Sequence, residues 1–208
     1  MKVHTKETQA TLTPEKAIEI LKQGNQRFQN NLKANRNLLQ QVNETKDGQF
    51  PFATILSCID SRVSAELVFD QGLGDIFSIR IAGNFVDKDI LGSMEYACKL
   101  ARSRLIVVLG HTSCGAIKGA CDHVRLGNLT NLINKIEPAV EAVADPEDPS
   151  LRNSRNPEFV DAVSKMNVKM ALEQIRAKSP ILKDMEQNGE IAIIGAMYDV
   201  SDGKVSFN

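Results

Sequence analysis

The sequence has no tryptophan, and aromatic residues make up only 5% of its 208 positions. Stacking platforms for single-stranded nucleic acid are therefore scarce. Neither sign of charge dominates, because 25 Lys and Arg residues are matched by 26 Asp and Glu residues and the net charge is −1. Proteins that clamp nucleic acid need clustered positive charge, so this composition predicts no nucleic-acid partner.

Long apolar runs are also missing. No run approaches the roughly 20 residues that cross a membrane, and Met1 does not begin a charged and then apolar leader. We therefore expect a cytoplasmic protein without membrane contact. Four cysteines are too few for a disulfide scaffold. The hydrophobic content of 42% is enough to fill the core of a single domain over residues 1–208.

Short apolar runs with little polar alternation predict strands of a parallel sheet that is covered on both faces. The runs are 52–56, 76–81, 105–109 and 191–194. Stretches with helical periodicity separate them, at 89–101, 126–143 and 156–177, and a Pro-containing surface loop is expected at 145–149. The predicted fold class is α/β, with a central, mainly parallel β-sheet flanked by helices.

The two ends of the chain carry their own signals. Thr13 as N-cap and Pro14 at the first helical position predict an amphipathic helix. No strand precedes this helix, so it is expected to have no sheet of its own to cover. We therefore predict an N-terminal helical arm over residues 1–45 that packs on a neighbouring subunit. Near the C-terminus, Asp202-Gly203 favours a tight type I′ turn between 197–200 and 205–207, which predicts an antiparallel C-terminal edge strand.

Reactive side chains follow two of the predicted strands, where open α/β sheets place their ligands. The segments are Cys58-Ile59-Asp60-Ser61-Arg62 and Gly110-His111-Thr112-Ser113-Cys114-Gly115. A lone Cys or His is more often a packed core residue. Together, however, Cys58, His111 and Cys114 supply three zinc-type ligands with a free fourth position, the pattern of a catalytic zinc site. The 53 positions from Cys58 to His111 exclude a local zinc finger.

The two segments resemble the signature segments of the β-class carbonic anhydrases. The resemblance extends over most of the chain. Further matching segments are Gly72, Arg80-Ile81-Ala82-Gly83-Asn84, Ser93-Met94-Glu95-Tyr96-Ala97 and Tyr198-Asp199-Val200-Ser201-Asp202-Gly203. It implies one Zn²⁺ per chain on Cys58, His111 and Cys114. It also implies reversible hydration of CO₂ to bicarbonate and a proton, by attack of zinc-bound hydroxide on CO₂, in a homodimer or a dimer of dimers.

By the same resemblance, Asp60 and Arg62 are the catalytic pair beside the open coordination position. Two thiolates and a neutral imidazole leave Zn²⁺ formally neutral, so a nearby carboxylate has to compensate. Asp60 can accept the hydrogen bond of the zinc-bound hydroxide, while Arg62 keeps Asp60 ionised and away from the metal. If Arg62 released Asp60, this carboxylate could become the fourth ligand and close the site.

The resemblance also implies a substrate pocket and a subtype. The substrate-binding positions are Gln49, Phe77, Ala82, Tyr96 and Gly115. The Gln, Phe and Tyr come from the neighbouring subunit in plant-like members, and Ala82 stands where Val is usual. Members with an allosteric bicarbonate site carry Trp at the position of Ile55, together with an Arg and a Tyr that match Arg80 and Tyr198. The missing Trp favours the plant-like, open-site type.

Three other functions remain as alternatives. Gly110 to Gly115 has the spacing of a phosphate loop, but Ala116 and Ile117 replace the Lys and Ser/Thr that must follow it. A thiol redox enzyme could use Cys58 and Cys114, although the chain has no Cys-x-x-Cys. A non-catalytic zinc or bicarbonate-sensing module would be expected to lose Asp60 or Arg62, which this chain keeps.

Overall fold

A computed structural model describes residues 3–207 and shows an α/β fold built on a five-stranded sheet of order β2-β1-β3-β4-β5. The strands are β1 (Ala53–Ser57), β2 (Ile76–Arg80), β3 (Leu105–His111), β4 (Ala192–Tyr198) and β5 (Val205–Phe207). Strands β1 to β4 are parallel, and β5 pairs antiparallel with β4. The predicted fold class and the antiparallel edge strand are confirmed.

Helices precede β1 and lie between the successive strands from β1 to β4. They are α1 (Lys6–Ala10), α2 (Pro14–Gln29), α3 (Leu38–Thr45), α4 (Ala65–Val68), α5 (Lys88–Glu95), α6 (Gly115–Cys121), α7 (Gly127–Ala142), α8 (Pro157–Lys178) and α9 (Pro180–Gln187). The predicted helices at 126–143 and 156–177 correspond to α7 and α8. The one predicted at 89–101 continues from α5 into a π-helical segment, Tyr96–Leu100. Within residues 3–207, no helix is long and apolar enough to span a membrane.

Strands β1 and β3 lie in the centre of the sheet and are buried at every position. Their apolar runs show little alternation because helices cover both faces. Val168 of α8, Leu56 and Val108 belong to the core on one face, and Leu21 of α2 and Ile55 belong to the core on the other. In the β1–β3 pair, Ser57 lies opposite Leu109. The residues that follow Ser57 and Leu109 therefore emerge side by side at the carboxyl edge of the sheet.

Helix α2 begins as the sequence predicts, with the Thr13 hydroxyl accepting a hydrogen bond from the backbone N–H of Lys16 at 3.3 Å. Ala17 and Leu21 are completely buried, in the same cluster as Phe52 of this chain. The expectation that α2 has no sheet of its own to cover is therefore wrong. A helical pattern shows that one face is buried but not which surface buries it. Contact of the 1–45 arm with a neighbouring subunit stays a prediction, and its first two residues lie outside the described residues.

The C-terminal hairpin differs from its prediction in the turn. Strand β4 ends at Tyr198, and Asp199 closes a wider turn by donating its N–H to Lys204 O at 2.8 Å and accepting from the N–H of Gly203 at 2.9 Å. Only Gly203 of these residues has a positive φ, +78°. A type I′ turn needs two consecutive residues with positive φ, so that detail is wrong. The Asp199 carboxylate binds the backbone N–H of Ser201 and favours the wider turn.

Candidate metal centre and active site

Three potential metal ligands meet at the carboxyl edge of the sheet. Cys58 follows β1, His111 ends β3, and Cys114 is the N-cap of α6. One ligand atom from each residue lies within 4.8 Å of the other two, and the two sulfurs are 3.9 Å apart. All three side chains are buried. The structure therefore brings together the ligand set that the sequence predicts.

His111 is held in one tautomer. Its Nδ1 lies 2.9 Å from the carbonyl oxygen of Thr112. Because a carbonyl oxygen only accepts, Nδ1 carries a proton, and in the neutral ring Nε2 carries a free lone pair. Nε2 is buried and has no hydrogen-bond partner among residues 3–207. A buried polar atom without a partner is costly and calls for an explanation, and a metal ion beside it would supply one.

The two thiols share one proton in this arrangement. The hydrogen bond from Cys114 lowers the pKa of Cys58 to about 4, and the backbone N–H of Gly83 acts in the same direction. The contact with Cys58 and burial raise the pKa of Cys114. Two buried thiolates this close repel each other, so both ionise together only with a cation between them. Two sulfurs and one imidazole nitrogen suit Zn²⁺.

Asp60 and Arg62 form a bidentate pair beside the cluster. Arg62 Nε donates to Asp60 Oδ1 at 2.9 Å, and Nη2 donates to Oδ2 at 2.8 Å. The backbone N–H of Arg62 also donates to Oδ1, at 2.9 Å. These donors hold the pKa of Asp60 far below its usual range, so the carboxyl group is ionised. Asp60 is not a member of the ligand cluster found in the described part of the chain.

Arg80 supports the same segment from β2. Its Nε donates to the carbonyl of Cys58 at 3.1 Å, and its Nη2 donates to the carbonyl of Asp60 at 2.7 Å. Tyr198 lies next to His111 in the β3–β4 pair and is almost fully buried. Ile55 is completely buried within β1. Arg80 thus holds the backbone that carries Cys58 and Asp60, a role that its sequence context did not reveal.

The predicted pocket residues fall into separate groups within one chain. Phe77 and Tyr96 make an edge-to-face contact with ring centroids 6.2 Å apart and line an open groove of about 580 Å³. Within residues 3–207, no member of the ligand cluster lines that groove. Gln49 is exposed, before β1. Ala82 precedes Gly83, whose N–H contacts Cys58 Sγ, and Gly115 is the exposed first residue of α6.

Comparison with known proteins identifies the family. The sequence model of the family described as "Carbonic anhydrase" matches residues 53–205. Over 200 residues, the chain is 38% identical to "Carbonic anhydrase 2" of Mycobacterium tuberculosis, covering 92% of this chain and 91% of the relative. The solved structure of the b-carbonic anhydrase CafA of Aspergillus fumigatus matches with a TM-score of 0.72 at 26% identity, covering 82% of this chain and 81% of that one.

The chain belongs to the β-class carbonic anhydrase family. A further relative, the carbonic anhydrase of Mycolicibacterium smegmatis, is 34% identical over 199 residues and matches 92% of each chain. The chain is therefore an enzyme, a carbonic anhydrase, and its reaction is the hydration of carbon dioxide. The clustered ligands in the structure agree with the zinc dependence that is typical of the β-class family.

Two polar residues of α8 hold the backbone around this β-class site and were missed in the sequence. Asn167 Nδ2 donates to the carbonyl of Gly83 at 2.8 Å. Asp161 Oδ1 accepts the backbone N–H of Ser113 at 3.3 Å. Sequence reasoning placed 156–177 in a helix and stopped there. A signal was available for Asn167, because it lies beside Val168 on the apolar face of α8, where an amide needs a specific partner.

Proposed function

We propose that the chain is a zinc-dependent carbonic anhydrase that binds one Zn²⁺ through Cys58, His111 and Cys114. The observation that carries this proposal is the buried, unpartnered Nε2 of His111 beside two sulfurs 3.9 Å apart. Three protein ligands leave a fourth position open, as catalytic zinc requires. When bound, zinc supplies the Lewis acidity that makes water a nucleophile near neutral pH.

Asp60 orients the reaction. Its ionised carboxylate accepts a hydrogen bond from the attacking hydroxyl group and so directs the free lone pair of that group at the carbon of CO₂. Through two parallel hydrogen bonds, Arg62 keeps the carboxylate ionised and keeps it from turning toward the metal. This pairing supports the plant-like, open-site type. Ile55, at the position where regulated members carry Trp, supports it as well.

The substrate pocket is proposed to form between subunits. The edge-to-face pair Phe77 and Tyr96 gives an apolar wall that suits CO₂, and Gln49 holds a bicarbonate oxygen through its amide. Tyr96 is 54% exposed in the single chain. A residue that completes the pocket of a neighbouring subunit is expected to be exposed when that subunit is absent. Ala82 and Gly115 border the pocket from the chain that holds the metal. A homodimer, its pairing into a dimer of dimers and a cytoplasmic location remain predictions.

Metal removal and restoration test the proposal. Chelated protein should lose CO₂ hydration and recover it with added Zn²⁺ but not with Mg²⁺, since the ligands are sulfur and nitrogen. His111→Ala should not recover under the same conditions. His123→Ala is the matched control, because this imidazole is exposed and pairs with Glu137 at 2.9 Å. Full activity of the metal-free protein would contradict the proposal. A zinc-free protein with a Cys58–Cys114 disulfide would favour the thiol redox alternative.

A further inference from the structure

A tight turn, Ile81 to Asn84, lies against the first thiol ligand. The N–H of Ile81 donates to the carbonyl of Ser57 at 3.0 Å, and the N–H of Asn84 donates to the carbonyl of Ile81 at 2.9 Å. Gly83 has φ +75°, which suits glycine at the third position of such a turn. In this conformation the N–H of Gly83 donates to Cys58 Sγ at 3.4 Å. The turn therefore delivers a backbone donor to a sulfur that is a proposed zinc ligand.

The other side of Gly83 is held from α8. Its carbonyl oxygen accepts a hydrogen bond from Asn167 Nδ2 at 2.8 Å, and no second donor to this oxygen is found in residues 3–207. Gly83 is buried, and Asn167 is only 5% exposed. The side chain of Asn167, 84 positions after Gly83 in the sequence, is therefore the polar group that holds the turn in place.

Apolar packing alone does not set the direction of the turn. A Cβ on Gly83 would lie 2.4 Å from Ile136 Cδ1, so α7 closes one side of the turn tightly. Such packing limits how far the turn can move, but it is not directional. A hydrogen bond is directional. Holding the carbonyl of Gly83 restricts the backbone rotation at this residue and hence the direction of its N–H toward Cys58.

We propose that Asn167 is a positioning residue of the metal centre. It acts through Gly83 on the sulfur of Cys58 and touches neither substrate nor metal. The inference rests on the proposed function, in which Cys58 ligates zinc. A hydrogen bond to a ligand sulfur orients it and withdraws some of the electron density that it donates to the metal. Loss of the amide donor should therefore weaken metal binding and change the bonding between sulfur and metal.

Two substitutions remove the donor in different ways. Asn167→Leu replaces the amide by an apolar group of similar size. Asn167→Asp keeps the shape but, when ionised, presents only acceptors to the Gly83 carbonyl. Ser164→Ala is the matched control, because Ser164 is equally buried on α8 and its hydroxyl donates to Val160 O inside the helix. It removes a buried polar group whose hydrogen bond stays within the same helix.

Two readouts apply to each purified variant. Zn²⁺ affinity is measured by competition with a chelator, and the sulfur-to-metal charge-transfer absorption is measured on protein loaded with Co²⁺. We expect both Asn167 variants to bind Zn²⁺ about 10- to 100-fold more weakly than the wild type and to shift the absorption band. We expect Ser164→Ala to change neither. A merely structural role for Asn167 would lower the unfolding temperature and leave the band in place.

The outcomes separate the two proposals. Wild-type affinity and an unshifted band in the Asn167 variants would overturn the positioning role while zinc binding by Cys58 stands. A wild-type protein that binds neither Zn²⁺ nor Co²⁺ would overturn the proposed function and this inference with it. If Asn167→Leu does not fold, Asn167→Asp decides the question at a pH high enough to ionise its carboxyl group, since it preserves the shape of the side chain and then has no donor.

Discussion

Substitution of Arg62 by Ala isolates the contribution of the guanidinium to the site. The change removes two hydrogen bonds to Asp60, of 2.9 and 2.8 Å, and leaves the backbone N–H contact to Oδ1 in place. A hydrogen bond to a charged group contributes about 1.5–3 kcal/mol. The Arg62 side chain is 50% exposed, so solvent screening reduces the contribution of each hydrogen bond to about 1 kcal/mol. The combined loss of about 2 kcal/mol corresponds to roughly a 30-fold fall in kcat/KM.

The pH dependence of that loss is expected from competition between the Asp60 carboxylate and hydroxide for the metal. Arg62 depresses the pKa of Asp60, so the substitution raises it toward the ordinary value of 3.8. That value lies well below neutral pH, and the released carboxylate stays ionised and free to turn toward the metal. Hydroxide competes better for the metal as the pH rises. We therefore expect the loss of activity to be greatest near pH 6.5 and to shrink toward about pH 9.

Stopped-flow CO₂ hydration over this range measures the effect. The matched control is Arg125→Ala, because Arg125 is 48% exposed and pairs with Glu137 at 2.8 Å, away from the ligand segments. The control should keep wild-type kcat/KM at every pH. Wild-type activity of Arg62→Ala throughout the range, or an equal loss in the control, would refute the role given to Arg62. A crystal structure of Arg62→Ala with water still on the metal would show that Asp60 does not take that position.

Three further predictions concern Asp60 and the packing around the site. Asp60→Asn should lower kcat/KM by about 10²- to 10⁴-fold while zinc per chain is unchanged, because it removes the ionised acceptor; full activity would refute that role. Leu21→Ala should lower the free energy of unfolding in urea by about 2–5 kcal/mol, since Leu21 is completely buried against the sheet. A loss no larger than that of the 70% exposed Leu126→Ala would mean that α2 does not pack on its own sheet. Gly83→Ala should lower the free energy of unfolding by about 1–3 kcal/mol, because its Cβ would overlap Ile136 at a positive φ; unchanged stability would contradict the geometry of the turn.

The central sheet and the ligand cluster could be predicted because each depends on local signals. Strands β1 and β3 are buried on both faces, so their apolar runs stand out without any knowledge of the neighbours. Cys58 and His111 occur where those runs end. Once the strands are parallel and adjacent, the two side chains have to meet at one edge of the sheet.

The surroundings of α2 and the form of the helix after α5 could not be predicted in the same way. The amphipathic pattern of α2 identifies Ala17 and Leu21 as buried but does not identify the surface that they cover. The residue types of the π-helical segment Tyr96–Leu100 do not distinguish it from an ordinary α-helix. Tertiary packing decides both features, and single-sequence periodicity carries no information about it.

The residues that support the site act through contacts between distant parts of the chain, so their roles could not be predicted from the sequence. Asn167 reaches Gly83 across 84 positions, and Arg80 reaches Cys58 across 22 positions. Sequence alone shows an amide on an apolar helix face and an arginine at the end of a strand. Their partners become visible only when the packing of α8 and the strand order are known.

Zinc content and CO₂ hydration, measured on the same preparation from about pH 6.5 to about pH 9, test the central claim most directly. The account predicts one zinc per chain and activity already at the low end of the range, because Arg62 keeps Asp60 away from the metal. Zinc without activity at low pH, with recovery as the pH rises, would contradict the open-site arrangement. Activity in protein without zinc would contradict the role of the Cys58, His111 and Cys114 cluster itself.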